Sequence, residues 1–278
     1  LGDPVGPVER WAELAWRFRE LCDRHAAVPV FYEVGSGNLP VYIDLGLNLV
    51  KIGEKGRVPL EGFSLEGKTR RELRYTVSKL GREGCRFEMI EPENLSAIMT
   101  DIRRVSDAWL EQKNTKEKSF SLGFFHEDYL RNFPVAVVML QNRIVAFANI
   151  LTSGLNEELS VDLMRFEPQA PVSAMEYLFI QTMLWGKERG FRWFNLGMVP
   201  LSGLENRPMA PLWSRIGSFV FHHAEHFYNF QGLRQYKNKF SPVWEPMYLA
   251  APGTLALPRV LTSIASLTSG GLKGIVSK

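Results

Sequence analysis

Cysteine is nearly absent from this chain. Cys22 and Cys85 are the only two in 278 residues, too few for a disulfide framework or a cysteine-based zinc centre, and a reducing compartment is the simpler expectation. Long apolar runs are missing as well: no stretch reaches the roughly 18 to 20 uninterrupted apolar residues that span a bilayer, and residues 1–20 lack the charged-then-apolar order of a secretory signal. An excess of one charge is lacking too. Thirty-three Lys and Arg against thirty Asp and Glu leave a formal +3, so a polyanion has to be bound by a local patch rather than by bulk charge. No tract is of low complexity, and with 45% hydrophobic and 23% charged residues the composition excludes disorder and allows a sizeable core. The chain opens on Leu1 rather than methionine, as expected of a segment of a longer protein, and a membrane-anchored parent stays open.

What is present has the pattern of a mixed α/β protein. Val8 to His25 carries Trp11, Leu14, Ala15, Phe18, Leu21 and Cys22 at helical spacing, which predicts an amphipathic helix. VPVFYEV, PVYIDLGL and NLVKIGEKGRV are short apolar or alternating runs broken by Gly, Asn and Pro, the mark of a small antiparallel meander. A basic helix in GKTRRELRYTVSKLGREG and a strand in CRFEMI complete a first unit. Glu91, Pro92 and Glu93 then form a boundary, giving a first lobe over 1–92 and a second over 93–278 with a C-terminal helical segment. In the second, Asn94 is positioned to cap a helix running to Lys113. FPVAVVMLQ and RIVAFANIL make a hairpin separated by Asn142 and Arg143, ELSVDLMRF a third strand, PVSAMEYLFIQTMLWGKERG a helix and FRWFNLG a further strand. Past Gly197 a helix is expected around Ala224 to Lys239, a strand near WEPMYLA and a helix from Leu257 to Leu267. The repeated order of helix, meander, helix and strand suggests a duplicated fold, without a close sequence repeat to mark it.

The sharpest chemical feature is ELSVDLMRF, where Asp162 and Arg165 interrupt an apolar strand. Positions three apart on a strand face opposite ways, so the two share a site only if the strand ends, bulges or twists near Met164. Two readings fit: an acid/base or orienting Asp beside an anion-binding Arg, or a structural ion pair at a strand end. GLRQYKNKFSPVWEP interleaves Arg234, Lys237 and Lys239 with Tyr236, Phe240 and Trp244, either to engage phosphates and stack a base or as a solvated helix face packed through its aromatics. KTRRELRYTVSKLGR gathers Lys68, Arg70, Arg71, Arg74, Lys79 and Arg82; Arg70 and Arg74, or Arg71 and Arg74, share a helix face, either as a footprint for a polyphosphate or anionic lipid or as a solvated basic face. His222 and His226 stand at i, i+4, but HHAEH lacks the HExxH order of a zinc protease and has no evident third ligand, so no metal is expected. GSGN at Gly35 to Asn38 reads as a turn, and no GxSxG elbow occurs. Acyltransferases of the GNAT type hold the coenzyme A pyrophosphate on a Gly-rich turn after the central strand. FEPQAPVSAMEYLF has no glycine there, which argues against coenzyme A if the fold is of that type.

SVDLMRF, MLWGKERGFRWFNLGM and above all FQGLRQYKNKFSPVWEP, with VSDAWL and SFSLGFFHEDYL, resemble the cytosolic domain of the aminoacyl-phosphatidylglycerol synthases, the multiple peptide resistance factor family, over roughly residues 65 to 250 in motif order. The resemblance implies two tandem GNAT-like lobes, each a mostly antiparallel sheet flanked by helices and related to the Fem-type peptidyltransferases. It implies transfer of an aminoacyl group from aminoacyl-tRNA to a hydroxyl of phosphatidylglycerol, which lowers membrane negative charge and confers resistance to cationic antimicrobial peptides. A membrane-embedded N-terminal region of the same polypeptide is implied as a partner, with the domain at the cytoplasmic face of the bacterial inner membrane. Asp162 and Arg165 are then the expected catalytic pair, and Tyr129, Arg234, Tyr236, Lys237, Lys239, Arg70 and Arg74 the substrate-binding groups. No cofactor or metal is expected, because an aminoacyl ester is already activated. Alanine is marginally preferred to lysine as donor, since no acidic residue stands out as a lysine reader. A Fem-type transferase acting on a peptide amine, a non-catalytic tRNA- or membrane-binding module and a coenzyme A-dependent acetyltransferase are the alternatives.

Overall fold

A computed structural model of the chain describes residues 1–114, 117, 123–204, 230–253 and 256–268. In chain order the elements are α1 (Trp11–Arg24), β1 (Phe31–Gly35), α2 (Leu39–Asp44), β2 (Asn48–Pro59), α3 (Arg71–Arg82), β3 (Cys85–Ile90), α4 (Met99–Lys113), α5 (Glu127–Leu130), β4 (Val135–Leu140), β5 (Arg143–Thr152), β6 (Glu158–Phe166), α6 (Ala174–Glu188), β7 (Trp193–Pro200), α7 (Phe230–Asn238), β8 (Val243–Ala251) and α8 (Leu257–Thr268). The fold is mixed α/β, with mostly antiparallel strands flanked by helices. They form two compact units, one of Leu1–Arg57 with Gly197–Ala265 and one of Val58–Leu196 with Ser266–Lys278. The boundary expected at Glu91–Glu93 therefore falls inside the second unit, because β3 pairs with β4 along its whole length, from Cys85↔Leu140 to Ile90↔Val135.

In the first unit β8 lies between β1 and β2 and is antiparallel to both. The expected meander is thus replaced: strands adjacent in sequence are separated by one from the far end of the chain. PVYIDLGL is not a strand but the helix α2, opened by a proline in its first turn, where the missing N–H costs nothing. Tyr42 and Leu45 turn inward from it onto Ala15, Phe31, Val34 and Ala250. A second apolar cluster of Ile52, Met247, Leu249, Ala251 and Val260 takes Leu257, Leu261 and Ile264 of α8 against it, so the C-terminal apolar segment is docked on protein.

In the second unit the strand order is β7-β6-β5-β4-β3. Gln141 and Asn142 both have positive φ, the conformation of a tight two-residue hairpin turn matched to strand twist, so the turn sits one residue earlier than expected. The helix predicted from Asn94 begins at Met99 instead. Pro92–Ala97 is a 3-10 turn, and no side chain caps the helix that follows. Its Met99, Ile102 and Val105 pack with Leu95, Leu130, Val137, Phe147 and Leu163. β6 passes through α6 to β7, and the β6–β7 pair is the parallel one, in register from Glu158↔Trp193 to Ser160↔Asn195. α6 lies so close to β6 that a Cβ at Gly186 would overlap the Leu159 side chain and stand 3.2 Å from Leu60 Cδ1. Gly186→Ala is therefore expected to destabilise the unit by about 1 to 3 kcal/mol through overpacking, against the gain of up to ~1 kcal/mol in helix propensity. A thermal melt reads the net loss.

Candidate active site

The site in the second unit is built on an irregularity of β6. Ala148 pairs with Met164 and Ile150 with Val161, so two residues, Asp162 and Leu163, stand opposite the single Asn149. An extra residue of this kind shifts the alternation of every side chain beyond it. Leu163 therefore joins the apolar cluster under α4, Arg165 two residues on points the same way, and Asp162 meets Tyr129, which packs on that same cluster. The bulge the sequence required for a shared site lies at Asp162–Leu163.

Tyr129, from the short helix α5, donates its hydroxyl hydrogen to Asp162 Oδ2 at 2.8 Å. Burial, with the Asp162 carboxylate as second cause, pushes the phenol up to about 12, so it stays a neutral donor at physiological pH. The Cα of Gly123 lies over the carboxyl: a Cβ there would stand 2.7 Å from Asp162 Cγ and both oxygens. Arg165 is 8% exposed. Its Nη2 donates to Glu117 Oε2 at 2.9 Å, Nη1 to Met164 O at 3.2 Å, and its Cζ sits 4.0 Å from the Trp109 ring centroid. Burial lowers the guanidinium pKa and Glu117 opposes that shift. Arg165 thus pairs with Glu117 rather than with Asp162, which leaves one carboxylate and one guanidinium on a common face, each held by a different neighbour. Such a face offers a proton acceptor or ammonium partner and an anion-binding group.

A second polar cluster belongs to the first unit. Glu54 of β2 accepts from Ser202 Oγ at 2.8 Å, from Lys51 Nζ at 3.2 Å and from Arg234 Nη1. Burial alone would raise this carboxyl, but Ser202, Lys51 and Arg234 together hold it below the ordinary range. The Arg234 guanidinium lies 4.3 Å from the Trp244 ring centroid. Lys237, from the same helix α7, is 7% exposed and donates to Gly197 O and Met198 O, each at 3.1 Å. The basic surface expected of Lys237 is therefore corrected: it is an interior lysine, its ammonium held by the Gly197 and Met198 carbonyls rather than presented to solvent. Lys239 is exposed, with Nζ 5.8 Å from the Tyr236 ring centroid.

Burial brings the Lys237 ammonium down to about 8 from 10.5, with Glu33 acting the other way. Below pH 8 folded and unfolded chains both hold this proton and the burial cost is present in full. Between pH 8 and 10.5 the folded state releases it first and the cost is relieved. The Tm advantage of Lys237→Met over the parent is accordingly expected to shrink as pH rises from 7 to 10, which differential melts at the two pH values measure.

Arg70 and Arg74 lie in the second unit. Arg74 is exposed and donates to Gly67 O at 2.7 Å and to Leu65 O, while Arg70 stacks at 5.4 Å on Phe63. His222, His223 and His226 fall outside the described residues. Among the described residues no group of three or more His, Cys, Asp or Glu is placed to hold a metal ion, and no helix is long and apolar enough to cross a membrane.

Residues 1–251 match the family model described as phosphatidylglycerol lysyltransferase, C-terminal. The chain belongs to this family. It is 36% identical over 250 residues to the phosphatidylglycerol lysyltransferase of Staphylococcus aureus and 34% identical to that of Staphylococcus haemolyticus, covering 90% of this chain and 30% of theirs in each case. The chain thus spans about a third of the length of these relatives. Among solved structures, a C-terminal domain from Agrobacterium fabrum superposes with a TM-score of 0.86 at 40% identity, covering 98% of this chain and 83% of the other. L-PGS from Bacillus licheniformis gives 0.84 at 36% identity, with 97% and 82% covered. FemX shares the fold at a TM-score of 0.56 and 9% identity, over 90% of this chain and 78% of the other.

Each of the two clusters, in its own unit, contains groups that the sequence pattern does not single out. Glu117 and Trp109 hold Arg165, Glu54 and Ser202 hold Arg234, and Asn149 faces the bulge. VSDAWL and WEP do carry Trp109 and Trp244, but pattern alone says nothing of their partners. Asn149 has one local signal, a lone amide within the apolar run RIVAFANIL.

Proposed function

We propose that this chain is the transferase domain of an aminoacyl-phosphatidylglycerol synthase, moving an aminoacyl group from the 3' end of tRNA to a hydroxyl of the phosphatidylglycerol head group. The observation that carries this reading is the face that bulged β6 gives Asp162 and Arg165, with Tyr129 of α5 bonded to Asp162, in a chain whose relatives bear the name phosphatidylglycerol lysyltransferase. Asp162 accepts the proton of the lipid hydroxyl as its oxygen bonds to the ester carbonyl carbon. Arg165 stabilises the tetrahedral oxyanion or the lipid phosphate. Collapse breaks the ester bond to the terminal ribose, and the proton passes to that leaving oxygen. The ester is already activated, so this sequence of steps calls on no metal and no covalent enzyme intermediate.

The relatives' names support lysine as the donated residue, whereas the lack of an acidic reader in the sequence speaks for alanine. Arg234, Tyr236, Lys239, Arg70 and Arg74 are the groups assigned to the tRNA terminus and lipid phosphate, with buried Lys237 supporting α7 from beneath. The longer relatives are in keeping with a membrane-embedded region in the same polypeptide and a working position at the cytoplasmic face of the bacterial inner membrane. There the product would reduce surface charge and protect against cationic peptides.

The test supplies lysyl-tRNA and alanyl-tRNA, each carrying a labelled amino acid, with phosphatidylglycerol vesicles. Labelled lysyl lipid is the expected product; labelled alanyl lipid would restore the alanine assignment. The shared fold of FemX favours one second reading, transfer to a peptide amine; labelled peptide with no labelled lipid would establish it. Binding of tRNA should weaken steeply with salt, and replacing Arg70, Arg74 and Lys239 by Ala should reduce the slope of log K against log salt by about one for each phosphate that is no longer neutralised. A slope unchanged in the triple variant would remove these residues from the tRNA surface.

A further inference from the structure

We propose that Asn149 is a positioning residue of this transfer site, whose side-chain amide clamps the β6 bulge and so keeps Asp162 and Arg165 on one face. The proposal rests on the reading that Asp162 and Arg165 carry the transfer.

The inserted residue leaves β6 with a backbone donor that the regular ladder cannot serve. Asn149 Oδ1 serves it, accepting from Leu163 N at 2.8 Å. Leu163 is the second residue of the bulge, so this hydrogen bond sits at the point where the alternation of β6 is reset. Without the reset, Asp162 and Arg165 would point to opposite faces of the sheet.

The same side chain reaches the other support of Asp162. It acts on the Tyr129 hydroxyl in the direction that favours the phenolate, against burial and Asp162, while Nδ2 closes no hydrogen bond among the described residues. Asn149 therefore neighbours both groups that fix the Asp162 carboxylate, the bulge beneath it and the phenol beside it.

Stability does not account for the residue. Asn149 is fully buried in an inner strand, between Ala148 and Ile150, which are themselves fully buried. A polar side chain there with one unsatisfied donor costs free energy that an apolar residue facing a regular ladder would avoid. Its zero exposure also places it behind the site rather than against substrate.

Asn149→Ala and Asn149→Asp, made in the whole chain, separate clamping from packing. Loss of the acceptor in Asn149→Ala should speed hydrogen exchange at the Leu163 amide by ~10-fold or more. It should also lower kcat for lipid aminoacylation by ~10- to 100-fold, the scale of misplacing a reacting group by about 1 Å, with KM for both substrates changed less than about threefold. Asn149→Asp keeps the acceptor, so Leu163 protection should persist. Its added carboxyl lies close to Asp162, so the acid limb of the kcat profile should move to higher pH, with activity recovering as pH rises.

Native exchange at Leu163 in Asn149→Ala, transfer within about threefold of the parent at every pH, or equal losses in both variants that track a fall in Tm would each overturn the proposal. A parent chain that aminoacylates no lipid overturns the proposed function and the positioning role with it, while Leu163 exchange still decides whether the clamp exists.

Discussion

Asp162→Asn is expected to lower lipid aminoacylation by ~100-fold or more while leaving the melting temperature within a few degrees of the parent. Asparagine keeps the size of the side chain and an oxygen that can accept from Tyr129, so the packing under Gly123 and the 2.8 Å hydrogen bond survive. What disappears is the negative charge and, with it, the capacity to take the lipid hydroxyl's proton or to hold an ammonium. Tyr129→Phe, which leaves that charge in place and removes one donor, should cost less, about tenfold. The Tyr129 phenol supplies a control independent of activity: part of its upward shift comes from Asp162, so its titration should move down in Asp162→Asn. Near-normal transfer in Asp162→Asn would reduce the Asp162–Tyr129 contact to a packing feature.

Arg165→Ala is expected to cost both transfer and stability. Removing the guanidinium strips Glu117 of its partner and uncovers the face of Trp109. Breaking a buried pair in this one-sided way costs about 3 to 5 kcal/mol, and the lower end applies because Glu117 keeps part of its exposure. Adding Glu117→Ala should therefore restore much of the lost Tm. It should leave transfer depressed by ~100-fold, since no cation returns to the face shared with Asp162. Arg165→Lys retains a charge but not the planar fork that spans Glu117, Met164 O and the indole, and should recover only part of the activity. Should transfer return together with stability in the double variant, Arg165 would be a structural residue whose loss acts through folding.

Much of the scaffold of this site is legible in the amino-acid sequence. The short continuous apolar runs FPVAVVMLQ and RIVAFANIL, the apolar spacing of PVSAMEYLFIQTMLWGKERG and the polar break in ELSVDLMRF are each local signals, and β4, β5, α6 and β6 appear where they run. PVYIDLGL departs from the expected strand because a short apolar run fits a strand and a helix equally, and the inward packing of Tyr42 and Leu45 decides for the helix. Asn94 does not cap α4 because Pro92 opens a 3-10 turn in which Asn94 lies.

Lys237 and Arg165 show a further limit. A charged residue in a basic, aromatic or apolar motif has a known spacing, but whether it meets solvent depends on Gly197 and Met198 in one case and on Glu117 and Trp109 in the other. Those partners lie 39 and 40 residues away for Lys237, and 48 for Glu117. No window of neighbouring residues contains them.

Residue type and the periods of 2.0 and 3.6 suffice to assign most helices and strands of this protein, and to say which side chains carry charge or a transferable proton. They do not suffice for three relations that packing and pairing settle: that β8 separates β1 from β2, that Arg165 answers to Glu117, and that Asp162 and Arg165 look the same way. The last of these turns on one inserted residue in β6 and on an amide of the neighbouring strand that bonds to it. Strand register is a relation between two segments, and neither segment encodes it alone.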